Sequence, residues 1–260
     1  MNFDFHTHGK LSKKVEFSLD YFKSMVKTAK ENGLDGFALT EHFNTRNFFD
    51  VYNTLDETYS YEQGYYLVDG VKVFPGMEVD IQEVGHILIV ADRTTIREIR
   101  TLLDPFVSKE NFIKFAQLFE LVAPFEILIM GAHPYRKSTP LYELDPVLLS
   151  KLDAFDLNGK DLYSMGIDEN SQLVYQFAQG LNKPVVGGSD THHKLQYGCI
   201  YNELEMECNT VNDLKNVILN GTYKIHISED LSEKVQNATE QKAMEKKIME
   251  AAIINKVSNL

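Results

Sequence analysis

The feature that most constrains this chain is a repeated alternation of short apolar runs with helical stripes, in which the apolar runs end on histidines or carboxylates. Residues 2–5 form a short apolar run ending in His6. Ser18 then precedes Leu19, Phe22, Val26 and Ala29, a helical stripe stopped by Gly33. Residues 36–40 run into Glu41-His42, and residues 71–74 into Pro75-Gly76-Met77-Glu78. Residues 127–132 lead to His133-Pro134, residues 154–157 to Asn158-Gly159, and residues 185–188 to Ser189-Asp190-Thr191-His192. The run 85–91 differs, because His86 stands at its start. Helical patterns cover 94–103, 110–121, 171–181 and 211–219, and further strands are expected at 204–207 and 223–227. Strands alternating with helices predict an α/β fold with a parallel sheet or barrel. The 260 residues suit one such barrel. The Tyr-rich stretch 54–70 reads as a loop over the site. No linker or repeat divides the chain. Residues 1–228 are expected to form the barrel, and 229–260, rich in Glu, Lys, Gln and Ala, one or two exposed helices of the same domain.

The C-terminal ends of parallel strands converge on one crevice, so groups distant in sequence become neighbours there. Five of the eight histidines follow an expected strand within a few residues: His6, His8, His42, His133 and His192. Asp4, Glu41, Glu78 and Asp190 collect at the same ends. On an extended segment His-x-His puts both imidazoles on one side, where they can chelate one ion. Imidazole suits Zn, Fe and Mn, and a carboxylate such as Glu78 can bridge two ions. Two ions about 3.5–4 Å apart can clamp the oxygens of an in-line displacement at phosphorus. A lone His-x-His carries little weight, since a solvated pair is as common. Its recurrence with four further strand ends makes a metal site the better reading.

Lys and Arg number 26 against 38 Asp and Glu, a formal net charge of -12. Such a body repels polyanions at long range, so no long nucleic acid is expected as a partner. Two or three divalent ions would still make one pocket locally positive. Two cysteines, Cys199 and Cys208, are too few for a disulfide framework. No leader pattern or membrane-length apolar run is seen, and the cytoplasm is the expected location.

The ordered motifs Asp4-Phe5-His6-Thr7-His8, Thr40-Glu41-His42, Gly76-Met77-Glu78, His86, Ala132-His133-Pro134 and Gly188-Ser189-Asp190-Thr191-His192 resemble the PHP (polymerase and histidinol phosphatase) superfamily. The likeness runs from residue 2 to about residue 193. It implies a distorted (β/α)7 TIM-like barrel, here with a C-terminal helical tail, and two or three divalent ions (Zn, Mn or Fe). On this resemblance His6, His8 and Asp190 would bind the first ion. Glu78 would bridge it to a second held by His133 and His86, and His42 and His192 would belong to a third position. The implied reaction is hydrolysis of a phosphate ester of a small phosphorylated metabolite or nucleotide by metal-bridging hydroxide, with His6, Glu78, His133 and Asp190 carrying the chemistry. Two departures stand out. Residues 9–16 contain no His or Asp to complete the third position, leaving only Glu16, and Glu41 replaces the usual Asp before His42.

Several residues carry two readings. Arg136, beside His133, is either a clamp for a substrate phosphate or a surface arginine. Lys10 and Arg46 share that ambiguity. Asn158 either faces the pocket or caps a helix. Asp4 is expected to hold His6 or His8 indirectly. Two other functions compete. One is an amidohydrolase-like enzyme cleaving C–N bonds, which the Asp-x-His ending disfavours. The other is a non-catalytic regulatory module, which the nearly complete ligand set disfavours.

Overall fold

The structure, a computed structural model, describes the backbone of residues 1–257 and the side chains of residues 1–248. Its strands are β1 (Asn2–Thr7), β2 (Gly36–Leu39), β3 (Tyr61–Glu62), β4 (Tyr65–Val68), β5 (Val71–Ile81), β6 (Gly85–Val90), β7 (Leu128–Gly131), β8 (Ala154–Asn158), β9 (Val185–Gly188), β10 (Ile200–Leu204) and β11 (Tyr223–Ile227). They form one sheet in the order β11-β10-β1-β2-β5-β6-β7-β8-β9, with the β3–β4 hairpin attached to β5.

The sheet curls until β9 meets β1. The amide of Asp190 donates to the His6 carbonyl at 2.7 Å, and that of His8 to the Thr191 carbonyl at 2.9 Å. Strands β1, β2 and β5 through β9 thus make a nearly closed seven-stranded barrel, as the family resemblance implied, where the alternation of elements left a parallel sheet or a barrel open. Asn202 of β10 completes the seam. Its amide nitrogen donates to the carbonyls of Phe3 and Gly187 at 2.9 and 2.8 Å, and its oxygen accepts from the Gly187 amide at 2.8 Å. A buried amide is tolerated there because its donors and acceptor are all satisfied.

Each strand sorts its residues by alternation. Outward residues such as Phe37, Leu39, Val79, Ile129 and Leu157 pack against the helices. The helix Leu19–Glu31 is capped by the Ser18 side chain, which accepts from the Tyr21 amide, and buries Phe22, Met25, Val26 and Ala29 against that layer. Phe22, Met25 and Val26 each contribute about 1.5–3 kcal/mol, and Ala29 less. A second cluster, including Phe3, Phe5, Ala38, Phe74, Leu88, Met130 and Val186, plugs the barrel interior toward the strand starts. The interior turns polar toward the other end.

Two irregularities serve the site. β6 runs antiparallel to both β5 and β7. Its start therefore lies at the end of the barrel where the parallel strands finish, which brings His86 to the same mouth as His42 and His133. In β1 the register against β2 shifts between Asp4 and Thr7, so strict period-two alternation fails there. Phe5 packs in the interior cluster while the adjacent His6 also faces the mouth.

Several expectations need correction. Residues 54–70 are no loop over the site: they are the end of the helix Phe48–Thr58 followed by the β3–β4 hairpin, which pairs with Val71–Val73 at the opposite end of β5 from Glu78. The strand expected at 204–207 lies at Ile200–Leu204, displaced because buried polar Asn202 interrupts its apolar pattern. The helix expected at 110–121 is a 3₁₀ turn at Lys109–Asn111 and a helix at Phe115–Val122. The tail is one helix, Leu231–Val257, whose first turns are anchored by buried Leu231, Val235 and Ala238 rather than exposed throughout. Among the described residues no helix is long and apolar enough to cross a membrane.

Candidate metal centre

Glu78 sits at the middle of the barrel mouth and is almost fully buried. Five imidazoles surround its carboxylate. His86 Nδ1 lies 2.5 Å from Oε1, His133 Nε2 3.2 Å from Oε1 and His6 Nε2 3.8 Å from Oε1. His42 Nδ1 lies 2.7 Å and His8 Nε2 3.5 Å from Oε2. Asp190 forms the other pole, with His8 Nε2 at 3.2 Å, His192 Nδ1 at 3.7 Å and His6 Nε2 at 3.8 Å from Oδ1. Three sets bring their ligand atoms within 4.8 Å of one another: His6, His8 and Asp190; Glu78, His86 and His133; and His8, His42 and His192. The eight residues expected as ligands are all gathered here.

The donor atoms fit divalent ions. His6 Nε2, both ring nitrogens of His8, His42 Nδ1 and Glu78 Oε2 are buried without a hydrogen-bond partner. The short His42–Glu78 approach lacks hydrogen-bond alignment, so it leaves both atoms unsatisfied. Unpaired buried polar atoms are costly, and their convergence in one cavity is what cation ligands leave when the cation is set aside. The backbone at two of these residues is held in the left-handed region, with φ of 33° at His133 and 54° at Asp190. Such conformations persist where surrounding structure enforces them, commonly at functional sites.

The electrostatics agree. Burial would raise Glu78, but His86, His42 and His133 hold its carboxyl well below the usual range. Asp190 is likewise held low, with Lys160, Arg136 and His6 overcoming burial. Burial pushes His42 down to about 4. Burial and Arg136 push His133 well down, and burial with His8 and Lys160 does the same to His192. These three imidazoles are neutral near pH 7, the form that ligates. His6 and His86 behave oppositely: burial would lower them, yet Asp190 and Asp156 raise His6 to about 10, and Glu78 and Asp80 raise His86 to about 9.

Several supporting residues lay outside the sequence reading. Asp156 of β8 takes the Nδ1 side of His6 at 2.8 Å and is itself held by Asn158 Nδ2 at 2.9 Å. An acidic residue inside an apolar strand run, two places before Asn158, was the available signal. Asp80 accepts from His86 Nε2 at 2.9 Å and from Lys13 at 2.8 Å. Lys160 Nζ lies 3.0 Å from Asp190 Oδ1.

Arg136 faces the cluster rather than the surface. Its Nη2 lies 2.9 Å from Asp190 Oδ2, and Asp161 grips it through Nε and Nη2 at 3.2 and 3.0 Å. Asn158 combines both of its readings, accepting from the Lys160 amide as a helix cap and from Arg136 at 3.0 Å. Asp4 accepts from the amides of His6 and Ser189, at 3.1 and 3.0 Å, and touches neither imidazole; burial raises it to about 7. Glu41 accepts from the amides of Gly9, Lys10 and His42, which fixes the turn after His8. Lys10 is buried and donates to the Arg46 carbonyl, while Arg46 and Glu16 pair on the surface. None of these three reaches the centre, so residues 9–16 supply no ligand to the third set.

The barrel mouth lined by imidazoles and carboxylates defines the class: an α/β barrel with a candidate metal centre. The PHP domain profile matches residues 4–144, and the PHP-associated profile matches residues 169–223. The chain belongs to the PHP domain family. Among solved structures it is similar to PsfC from Pseudomonas syringae, with a TM-score of 0.78 and 19% identity over 94% of this chain and 98% of that one. It also resembles the lesion-specific endonuclease Q of Pyrococcus furiosus, with a TM-score of 0.63 and 20% identity over 86% of this chain, and spans 57% of that enzyme. An amidohydrolase from Chromobacterium violaceum shares the fold at a TM-score of 0.50 and 13% identity, over 86% of this chain and 98% of that one. No curated protein sequence matches the chain.

Proposed function

We propose that this chain hydrolyses a phosphate ester of a small metabolite or nucleotide, using two or three divalent ions of Zn, Mn or Fe. The observation that carries the reading is the pairing of unpartnered metal-type ligands around Glu78 and Asp190 with two cations, Arg136 and Lys160, within 3.0 Å of Asp190. A neutral amide gives no use for two cations beside the ion sets, whereas a phosphoryl group carries charge on each non-bridging oxygen.

His6, His8 and Asp190 would hold one ion, and Glu78, His86 and His133 a second. His42, His192 and His8 would offer a third position, which has no carboxylate and shares His8 with the first. Ions bound there lower the pKa of a nucleophilic water and neutralise phosphoryl charge. Asp156 fixes the tautomer and orientation of His6. Asp161 and Asn158 hold the Arg136 guanidinium beside Asp190, where its positive charge would stabilise a phosphoryl oxygen. The neutral His133 and His192 present lone pairs at physiological pH.

The test is turnover of p-nitrophenyl phosphate and a panel of phosphorylated metabolites by protein loaded with Mn²⁺ or Zn²⁺. Absence of turnover on every ester, with metal bound, removes the reading. The endonuclease Q structure with a 27-mer duplex bearing an abasic lesion motivates one further arm, cleavage of such a duplex. The net charge of -12 favours the small substrate.

A further inference from the structure

The third ligand set, His8, His42 and His192, has an ammonium at its edge. Lys160 lies in the first turn of the helix Gly159–Met165, where its amide donates to the Asn158 side chain at 3.0 Å. Its Nζ lies 3.0 Å from Asp190 Oδ1 and 3.5 Å from His192 Nδ1, two atoms that are themselves 3.7 Å apart. One cation thus already joins this imidazole to this carboxylate. An ammonium only donates, so Nδ1 of His192 is the acceptor in that contact. The neutral ring then carries its proton on Nε2, and neither nitrogen has a free lone pair. His8 is committed as well. Its Nε2 lies 3.2 Å from Asp190 Oδ1 and 3.5 Å from Glu78 Oε2, among the donors of the first ion, and its Nδ1 lies 3.9 Å from Glu41 Oε1. An imidazole that ligates through Nε2 keeps its proton on Nδ1. Of the third set, only His42 is left uncommitted.

We infer that the Lys160 ammonium takes the place of a third ion, so that the loaded chain holds two divalent ions rather than three. This rests on the metal-centre reading proposed above and fixes its ion count. The third position implied by the family resemblance does not fit the residues present. It has no carboxylate of its own to offset a divalent charge, and residues 9–16 bring none to it. A single charge carried on a side chain suits such a position better than a double charge on an ion. Lys242 of the helix Leu231–Val257 adds further positive charge at the same imidazole. A divalent ion placed there would be repelled by both ammonium groups at short range.

The experiment counts the ions taken up by the full chain in equilibrium dialysis against Zn²⁺ or Mn²⁺, followed by elemental analysis. The native chain is expected to take up two. Lys160→Met keeps the reach of the side chain but removes its charge, freeing Nδ1 of His192 and a lone pair of Asp190; uptake should rise to three. Lys160→Arg keeps the charge and should stay at two. His192→Ala added to Lys160→Met should return the count to two, which assigns the gained ion to His192. The Lys160 side chain is 30% exposed, so these replacements leave the core intact, and circular dichroism checks that each variant is folded. Three ions in the native chain or in Lys160→Arg, two in Lys160→Met, or a gained ion that survives His192→Ala overturns the inference. The expected counts without turnover of any phosphate ester support it while removing the phosphoesterase reading. Uptake of no ion by any form overturns both.

Discussion

His6 Nδ1 lies 2.8 Å from Asp156 Oδ2, which turns the other ring nitrogen, Nε2, into the metal centre without a protein hydrogen-bond partner. A carboxylate behind a ligating imidazole fixes its tautomer and raises its basicity. Asp156→Ala is expected to weaken metal binding by about 10–100-fold, and Asp156→Asn by less, because the amide oxygen still accepts the Nδ1 proton. Competition with a chromophoric chelator measures this, with circular dichroism confirming the fold. Unchanged affinity in Asp156→Ala would mean that His6 is not a ligand through Nε2.

Gly188 makes that pair possible. A Cβ there would stand 2.6 Å from His6 Cβ and closer still to Asp156 Oδ1. Gly188→Ala must therefore displace His6 or Asp156, and should lower metal occupancy about as much as losing Asp156. Metal analysis of the purified variant checks it; full occupancy would show that β8 and β9 can separate without cost to the site.

Metal uptake should release protons. His6 and His86, raised to about 10 and about 9, carry protons at pH 7 in the metal-free chain and must lose them to ligate. Uptake near pH 7 is thus expected to expel about two protons, and affinity should climb with pH until about pH 9–10. His42, lowered to about 4, is already neutral and adds nothing to this slope. Calorimetry in two buffers of different ionisation enthalpy counts the protons; a value near zero would contradict the assignment of both imidazoles. The sign for the metal-free fold is the reverse. A raised pKa stabilises it below the ordinary histidine value of about 6.5, and that contribution fades as pH rises through 9 to 10.

Arg136→Lys keeps the charge but loses the fork held by Asp161. The kcat/KM for a phosphate ester should fall about 10–100-fold while metal content changes little. Steady-state kinetics with metal analysis decides it, and a parallel loss of metal would instead assign Arg136 to holding Asp190.

Asn202→Ala should cost about 2–4 kcal/mol of stability, since it strips three hydrogen bonds from a buried seam between β1 and β9. Denaturant unfolding measures the loss. A shift under about 0.5 kcal/mol would mean that the seam is held by the His6–Asp190 and His8–Thr191 backbone pairs alone.

The barrel and the ligand set were legible because both depend on local patterns. Apolar runs of strand length, spaced by helical stripes, permit few folds, and parallel strand ends in such folds meet at one mouth. His6, His8, His42, Glu78, His133, Asp190 and His192 could therefore be read as neighbours from their positions after strands. The Tyr-rich segment misled because aromatic content does not specify location; it pairs with the beginning of β5, not its end. Asn202 hid a strand because its burial depends on partners 15 and 199 residues away.

The sequence by itself determined which side chains would gather, since residue type and strand position are local facts. Only the tertiary structure decided how each donor is aimed and backed. The reversal of β6 brings His86 to the mouth, the irregularity in β1 turns His6 inward beside Phe5, and Asp156, Asp161 and Lys160 set the charge around His6, Arg136 and Asp190. Those outcomes rest on hydrogen bonds and ion pairs between elements far apart in the chain, which no local pattern encodes.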